Sequence, residues 1–225
     1  MTATYYEIRL CLSCGLRYPL TEGHSFGARC PACLGETECL RRENLAREAP
    51  REGDKLPEGI QLHVLLDNVR SAWNVGSILR TSDGFGFEHA YLCGITPTPE
   101  HAEVRKTALG AEEFVTWSAH PNGLEKVREL QEAGWQILAL EKVKESIPIQ
   151  ATTYRLEQSR SLLVLGNEVT GVDPEIISLS DRVVHLAMHG QKRSFNVAVA
   201  FAAAAALIHN ELIAYPWWAL DDRAS

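Results

Sequence analysis

Two closely spaced pairs of cysteines lie in the first forty residues, and their spacing constrains the fold more than any other feature of the chain. Cys11 and Cys14 enclose two residues, fifteen residues follow, and Cys30 and Cys33 repeat the two-residue spacing. This pattern is typical of a four-thiolate zinc site. About forty residues bury too little apolar surface to fold alone, so metal binding would supply the missing free energy of folding. The spacing predicts a zinc-ribbon-like module over residues 1–40, with these four cysteines as ligands.

Two disulfides are the alternative interpretation of the same four cysteines. Nothing in the sequence indicates an oxidising compartment, which favours the metal site. Cys39 and His24 are nearby substitute ligands, although each is more simply a bystander. The sixth cysteine, Cys93, ends an apolar run and is expected to be a buried core thiol.

The composition is that of an ordinary globular protein with one full core and a small appendage. The 225 residues are 45% hydrophobic and 23% charged, with a formal net charge of −7. The net negative charge argues against uniform electrostatic attraction to nucleic acid, and DNA is not an expected partner. The sequence has no apolar run of membrane-spanning length and no secretion signal at its start, so we expect a cytoplasmic location and no membrane partner.

The chain divides into segments of different character. Residues 41–59 are dense in charge and contain proline and glycine, which predicts a linker. From residue 60 to 214, apolar runs typical of buried strands alternate with amphipathic stretches. This alternation predicts an α/β domain with a mainly parallel sheet covered by helices on both faces. Residues 215–225 are interpreted as a C-terminal tail.

Polar segments follow three of the predicted strands, where the ligands of parallel sheets collect. In the first, Asn74 is a candidate N-cap of a helix that carries Arg80. In the second, Gly166 and Gly171 are expected to permit close backbone approach to a ligand, and a helix is expected to begin at Asp173. In the third, Ser194 is a candidate N-cap of a long alanine-rich helix.

Two common nucleotide-binding patterns are disfavoured. The segment from Gly166 to Gly171 lacks the following Lys-Ser or Lys-Thr of a phosphate loop, so nucleotide hydrolysis is not expected. Gly84 and Gly86 close a helix, whereas the glycines of a dinucleotide fingerprint open one after a strand. A Rossmann-type oxidoreductase is therefore not expected.

The three segments together resemble the SpoU-like branch of the SPOUT superfamily, which comprises S-adenosylmethionine-dependent 2′-O-ribose methyltransferases of tRNA and rRNA. The resemblance covers residues 60 to 214. It is carried by Asn74-x-Gly76-x-x-x-Arg80-Thr81, by Leu165-Gly166-Asn167-Glu168 with Gly171, by Met188-x-Gly190 leading to Ser194-Phe195-Asn196-Val197, and by Thr107-Ala108-Leu109-Gly110-Ala111-Glu112. It implies an α/β trefoil knot, S-adenosylmethionine as cofactor, an RNA substrate and a homodimer.

The resemblance also implies roles for individual residues. The implied catalytic residues are Arg80, Asn74, Glu168, Ser194 and Asn196. The implied cofactor-binding residues are Leu165, Gly166, Asn167, Leu186, Met188, Ser194, Phe195 and Asn196. Phe195 and Ala187 depart from the residues common in the family without removing a functional group.

Three of these interpretations have alternatives. Arg80 is the family's proposed general base, yet a guanidinium normally stays protonated, so an electrostatic role is the alternative. A catalytically inactive RNA- or ribosome-binding knot protein and a base-methylating enzyme are alternatives to ribose methylation. The arginines and aromatic residues of the N-terminal module suggest RNA docking, with dimer stabilisation or protein recruitment as the alternative. These residues are Arg9, Arg17, Arg29, Arg41 and Arg42, with Tyr5, Tyr6, Tyr18 and Phe26.

Overall fold

The computed structural model describes residues 4–24, 27–45, 56–149 and 159–214. The chain forms two compact units, Met1–Asp54 and Lys55–Ser225. The predicted C-terminal tail, residues 46–55 of the predicted linker, and Phe26 lie outside the described residues.

The first unit contains a three-stranded antiparallel sheet in the order β2-β1-β3. The strands are β1 (Tyr5–Cys11), β2 (Arg17–Thr21) and β3 (Thr37–Asn44). β3 runs past residue 40, so the predicted boundary between module and linker is wrong by at least four residues. Glu7 on β1 is only 7% exposed, and the guanidinium groups of Arg9 and Arg42 both donate to its carboxylate. The charge density interpreted as a linker thus includes a strand whose arginine neutralises a buried acid.

The second unit is a seven-stranded sheet with helices on both faces. Its strands are β4 (Gln61–Asp67), β5 (Phe87–Cys93), β6 (Thr116–His120), β7 (Gln136–Leu140), β8 (Ile147–Pro148), β9 (Arg160–Leu165) and β10 (Arg182–His185). Its α-helices are α1 (Ala72–Phe85), α2 (Ala102–Ala108), α3 (Gly123–Glu132), α4 (Pro174–Leu179) and α5 (Val197–Ala214). A 3-10 turn covers Ala111–Glu113.

The strand order is β6-β5-β4-β9-β7-β10-β8, and the pairings within it are parallel. β10 lies between β7 and β8, both of which precede it in the chain. The segments that follow β4, β7, β9 and β10 therefore meet at one edge of the sheet. The predicted parallel α/β architecture is confirmed.

Apolar side chains form a core layer on each face of the sheet. On one face, α1, α2 and α5 bury residues such as Ile78, Val104 and Phe201. On the other face, α3 and α4 bury Val127 and Ile176. Within the part of the chain that is described, no helix has the length and apolar character needed to cross a membrane.

Gly76 sets how closely α1 and α2 approach. A Cβ at this position would lie 2.0 Å from Thr107 Oγ1 and 2.3 Å from the Val104 carbonyl oxygen. Only glycine fits there without displacing α2. Gly76 and Thr107, both part of the motifs singled out in the sequence, thus form a helix contact that holds the start of α1 in place.

The helix starts differ from the predicted ones at two of three positions. α1 begins at Ala72, and Ser71 caps it by accepting from the Asn74 amide at 3.4 Å, so Asn74 is not the cap. α5 begins at Val197, and the side chain that accepts from its first amides belongs to Asn196, not Ser194. The predicted start of α4 is confirmed, with Asp173 as N-cap.

A half-buried group of histidines on β4, β5 and β6 predicts acid sensitivity. Burial, together with the charge of His89, lowers the pKa of His63 to about 3. The folded state therefore holds His63 neutral below pH 6.5, where the unfolded chain takes up a proton. Stability should fall as the pH drops from about 6.5 towards 3, by at most about 1.4 kcal/mol per pH unit for one histidine.

The acid limb is the fall in melting temperature between pH 7 and pH 4. We expect His63→Gln to make this limb less steep in a series of thermal melts. His189→Gln, at an exposed site, is the matched control and should leave the limb unchanged. Equal acid limbs in wild type and His63→Gln would show that His63 does not set the acid sensitivity.

Candidate functional site

A cavity of about 210 Å³ opens at the carboxyl edge of the sheet, where β7, β9 and β10 end. Its walls combine apolar side chains, exposed backbone and a few charged groups, which suits a ligand with both an apolar and a polar part. The lining residues include Leu140, Glu141, Lys142, Leu165, Gly166, Asn167, Glu168, Leu186, Met188, Arg193, Ser194, Phe195, Val197 and Ala200. Seven of the eight residues predicted to bind the cofactor line this cavity. Asn196 is the exception.

The loop after β9 is folded tightly onto itself. A Cβ on Gly166 would lie 2.1 Å from the carbonyl carbon of Gly171 and from the nitrogen of Val172, so only glycine allows the two backbones to meet. Asn167 and Gly171 exchange backbone hydrogen bonds across the loop at 3.0 and 2.9 Å. The close approach predicted for these glycines is therefore to the chain itself.

The side chain of Asn167 serves this loop and the neighbouring strand end. Its Nδ2 donates to the Asn68 carbonyl at 2.7 Å, and its Oδ1 accepts from the amides of Val169 and Thr170. These bonds occupy both ends of the amide. The backbone N–H and C=O of Asn167 are already bonded to Gly171, so the second Nδ2 hydrogen is the donor left for a ligand in the cavity.

Glu168 ties the second segment to the first. Its carboxylate accepts from the Arg70 amide at 3.0 Å, from the Ser71 amide at 3.0 Å and from Asn74 Nδ2 at 2.9 Å. Burial opposes the charge, but the hydrogen bonds outweigh it and hold the pKa of Glu168 below its ordinary value. A charged carboxylate at the rim of the cavity therefore fixes the start of α1.

Asn74 and Asn196 extend this network to the third segment. Asn196 Nδ2 donates to Asn74 Oδ1 at 3.0 Å, while Asn196 Oδ1 accepts from the Ala198 amide at 2.9 Å and caps α5. The chain Glu168–Asn74–Asn196 thus joins residues that lie 94 and 122 positions apart in the sequence. All three predicted motifs meet in one hydrogen-bonded group beside the cavity.

Arg80 and Ser194 are positioned differently from this network. Arg80 lies on the exposed side of α1, outside the residues that line the cavity, and makes no hydrogen bond or ion pair within the described ranges. Ser194 is exposed and lines the cavity. Their predicted catalytic roles stay predictions.

Two cavity residues, Glu141 and His185, were not predicted as site residues. Glu141 follows β7, and its carboxylate accepts from the Val172 amide at 3.1 Å and from the Lys142 amide at 2.9 Å. His185, at the end of β10, pairs through Nδ1 with Ser146 Oγ at 2.9 Å. Their position directly after buried strands was the available signal, because such positions face the ligand edge of a parallel sheet.

The four predicted metal ligands form a second cluster, within the first unit. The sulfurs of Cys11, Cys14, Cys30 and Cys33 all lie within 4.8 Å of one another, and all four thiols are free. Tetrahedral zinc with bonds of about 2.3 Å would place its sulfurs about 3.8 Å apart, which fits the observed 3.4 and 3.7 Å pairs. The Cys14 amide donates to Cys11 Sγ and lowers the pKa of that thiol to about 6. Cys39 lies outside the cluster.

Replacing Glu168 by glutamine tests the network. One carboxylate oxygen becomes an NH2 group that faces other hydrogen-bond donors. We therefore expect the free energy of unfolding to fall by about 1–3 kcal/mol and Asn74 to lose its fixed orientation. A lower melting temperature, with weaker S-adenosylmethionine binding in calorimetry, is the expected result. Glu175→Gln, at an exposed carboxylate 3.6 Å from Arg128, is the control. Equal changes in melting temperature and in S-adenosylmethionine binding for the two variants would show that the Glu168 hydrogen bonds matter no more than a surface ion pair.

The fold and the site define an α/β protein whose ligand cavity lies at the carboxyl edge of a parallel sheet. The family model described as the SpoU rRNA Methylase family matches residues 61–206. This match covers more than half of the chain, and the chain belongs to that family. The fold is accordingly that of the SPOUT methyltransferases, as the motifs predicted.

Individual relatives agree with this membership. A tRNA (guanosine(18)-2′-O)-methyltransferase from Aquifex aeolicus is 32% identical over 145 residues, which are 62% of this chain and 64% of that protein. The chain thus spans somewhat less than two thirds of that relative's length. The structure of the A. aeolicus TrmH/SpoU tRNA modifying enzyme matches with a TM-score of 0.61 and 27% identity, over 68% of this chain and 76% of the other. The structure of an AdoMet-bound rRNA methyltransferase from Sinorhizobium meliloti matches with a TM-score of 0.63 and 25% identity, over 75% of this chain and 63% of the other.

Proposed function

We propose that the chain transfers the methyl group of S-adenosylmethionine to a ribose 2′-hydroxyl of tRNA or rRNA. The observation that carries this proposal is the convergence of the three motifs at one cavity, joined by the chain Glu168–Asn74–Asn196. The relatives named above act on tRNA or rRNA, which supports an RNA substrate.

The cavity has the chemical character that S-adenosylmethionine requires. Leu165, Leu186 and Met188 offer apolar contact for an adenine ring, and the backbone of Gly166 forms part of the same wall. Glu141 adds negative charge to the wall, which suits a sulfonium or an ammonium group. When bound, the cofactor supplies an activated methyl group, so the protein has to position the ribose and stabilise its oxygen as the proton leaves.

The predicted catalytic residues divide this task. We propose that Asn74, held by Glu168 and Asn196, orients the ribose, and that Ser194 shapes the polar wall of the cavity. Arg80 would hold the neighbouring phosphate and stabilise the developing alkoxide, since its guanidinium stays protonated. The proton would then leave late, to water.

The proposal is tested by incubating the full chain with methyl-labelled S-adenosylmethionine and, separately, total tRNA and total rRNA. We expect label in one RNA pool, and saturable cofactor binding in calorimetry. Cofactor binding without transfer to either pool would contradict the proposal for mature RNA. Absence of cofactor binding would favour the catalytically inactive knot protein.

We propose that the first unit is a zinc-ribbon-like RNA-docking module with one zinc ion on Cys11, Cys14, Cys30 and Cys33. The clustered free thiols support the metal, because four thiolates without a cation would repel one another. Arg17, Arg29 and Arg41 are exposed on this unit and supply positive charge for phosphates. In this proposal the two units have different tasks. The first unit docks RNA, and the second performs the methyl transfer.

Deleting residues 1–54 should weaken RNA binding and leave S-adenosylmethionine binding unchanged. We expect at least about a tenfold rise in the Kd for the methylated RNA pool, because several phosphate contacts are lost. Electrophoretic mobility shift measurements at fixed salt give this Kd. Unchanged RNA affinity in the shortened chain would assign the unit to dimer stabilisation or to protein recruitment.

We also propose that the chain is a homodimer through α5. Val199 on this helix is 55% exposed, and Ala203 and Ala206, four and seven residues on, share its face and are incompletely buried. Small side chains on one helix face allow a second helix to approach closely.

A further inference from the structure

Trp73 lies at the start of α1 with about half of its side chain in solvent. It is 51% exposed, beside Asn74 of the network that joins the three motifs. Neither the core nor the cavity includes it. An indole at such a position offers a large flat surface that no described role explains.

The backbone that carries Trp73 is held firmly. The amides of Arg70 and Ser71, three and two residues before Trp73, both donate to Glu168, and the Ser71 hydroxyl caps the helix. The Trp73 carbonyl accepts from Ser77 Oγ at 2.8 Å. The backbone that carries the indole is thus fixed relative to the rim of the cavity before any ligand arrives, which lowers the entropic cost of binding there.

One cationic group contacts this indole, and a second lies further along the same helix face. The ammonium of Lys106 on α2 lies 5.2 Å from the ring centroid, within the range of a cation–π contact. Arg80 follows seven residues after Trp73 and therefore lies two turns along the same helix face, about 10 Å away along the axis. Between them on this face stands Ser77, which is uncharged.

We propose that Trp73 is a stacking platform for an unpaired RNA base next to the methylated nucleotide, with Lys106 and Arg80 meeting the phosphates on either side. A planar aromatic group flanked by cations is how proteins bind unstacked bases in single-stranded RNA. The inference rests on the proposed function for its choice of RNA. Trp73 would therefore act in specificity, by selecting RNA whose bases are free to leave the helix.

The test measures binding, without methyl transfer, to two fluorescein-labelled RNA probes of twelve nucleotides. One probe is oligoadenylate, and the other has the same ribose-phosphate chain with the bases removed. Wild type should bind oligoadenylate more tightly than the abasic chain. Trp73→Leu should raise the Kd for oligoadenylate by at least about fivefold and leave the Kd for the abasic chain unchanged, since only stacking is lost.

Trp73→Phe is the conservative variant, and it should recover most of the affinity because it retains an aromatic face. Phe114→Ala is the matched control. Phe114 is 74% exposed but lies just before β6, at the opposite edge of the sheet from the cavity, and its loss should not affect either probe. Calorimetric binding of S-adenosylmethionine verifies that each variant is folded.

Three results would overturn the inference: equal affinity of wild type for both probes, equal losses on both probes in Trp73→Leu, or no loss at all. A fourth would be a shift from dimer to monomer in sedimentation of Trp73→Leu, which would place Trp73 between two copies of the chain. Because no transfer is measured, a chain that prefers oligoadenylate yet methylates no RNA would refute the proposed function and leave only the stacking of a base on Trp73 standing.

Discussion

Replacing Arg80 by alanine is expected to abolish most methyl transfer to RNA while leaving S-adenosylmethionine binding unchanged. Arg80 is exposed on α1 and does not line the cavity, so its removal should not disturb the bound cofactor. A protonated guanidinium near the reacting ribose would hold a phosphate and stabilise negative charge on the attacking oxygen. Loss of such a group lowers kcat by about 10²–10³-fold.

Single-turnover transfer under saturating cofactor, with calorimetry in parallel, measures both effects. Arg128→Ala is the matched control, because Arg128 is another surface arginine whose ion pair with Glu175 lies on the opposite face of the sheet. Arg80→Lys separates charge from geometry: low activity would indicate that the fork of the guanidinium matters. Turnover of Arg80→Ala equal to that of wild type would remove Arg80 from the catalytic residues.

Chelating the zinc ion proposed for the first unit is expected to unfold that unit alone. A structural zinc site contributes about 10–16 kcal/mol of apparent binding free energy, far more than the small sheet of this unit can supply. Elemental analysis should find one zinc ion per chain. After chelation, we expect four additional reactive thiols and loss of the NMR amide dispersion of residues 4–45, while S-adenosylmethionine binding persists.

Two cysteine substitutions act as matched variants. Cys30→Ser removes a buried member of the cluster and should reproduce the effect of chelation. Cys39→Ser alters an exposed thiol outside the cluster and should have no effect. A first unit that keeps its dispersion without metal would contradict the zinc-ribbon interpretation.

The buried elements of the second unit were predictable from sequence because their patterns are strong. Apolar runs such as Leu62–Leu66 and Ser161–Leu165 correspond closely to β4 and β9. Short elements were not predicted from the sequence. β8 is a two-residue strand, and α2 is a seven-residue helix whose C-cap, Leu109, has a left-handed conformation. Elements of this length carry too few residues to show a hydrophobic period.

The helix caps show a limit of local reasoning. Ser71 and Asn74 are both good N-cap residues, as are Ser194 and Asn196, and sequence preference does not separate them. The choice is made by tertiary contacts. Asn74 is drawn to Glu168 and Asn196, so Ser71 becomes the cap of α1.

The strand order and the site network lie beyond local patterns for the same reason. Placement of β10 between β7 and β8 departs from the simple topologies that short connections favour, and only the family resemblance indicated such a fold. The resemblance likewise brought Asn74, Glu168 and Asn196 together as a group. Glu141, which carries no motif, was found only in the structure, and His185 had been interpreted as a structural histidine beside the pocket strand.

Chemical location of the transferred methyl group tests most directly whether it goes to a ribose oxygen. RNA labelled by the full chain is digested with ribonucleases and phosphatase, and the products are separated by mass spectrometry. A 2′-O-methyl group blocks cleavage of the adjacent bond, so we predict a labelled, nuclease-resistant dinucleotide with the methyl on its ribose. Label found only on a base in mononucleosides would contradict ribose methylation and identify a base-methylating enzyme.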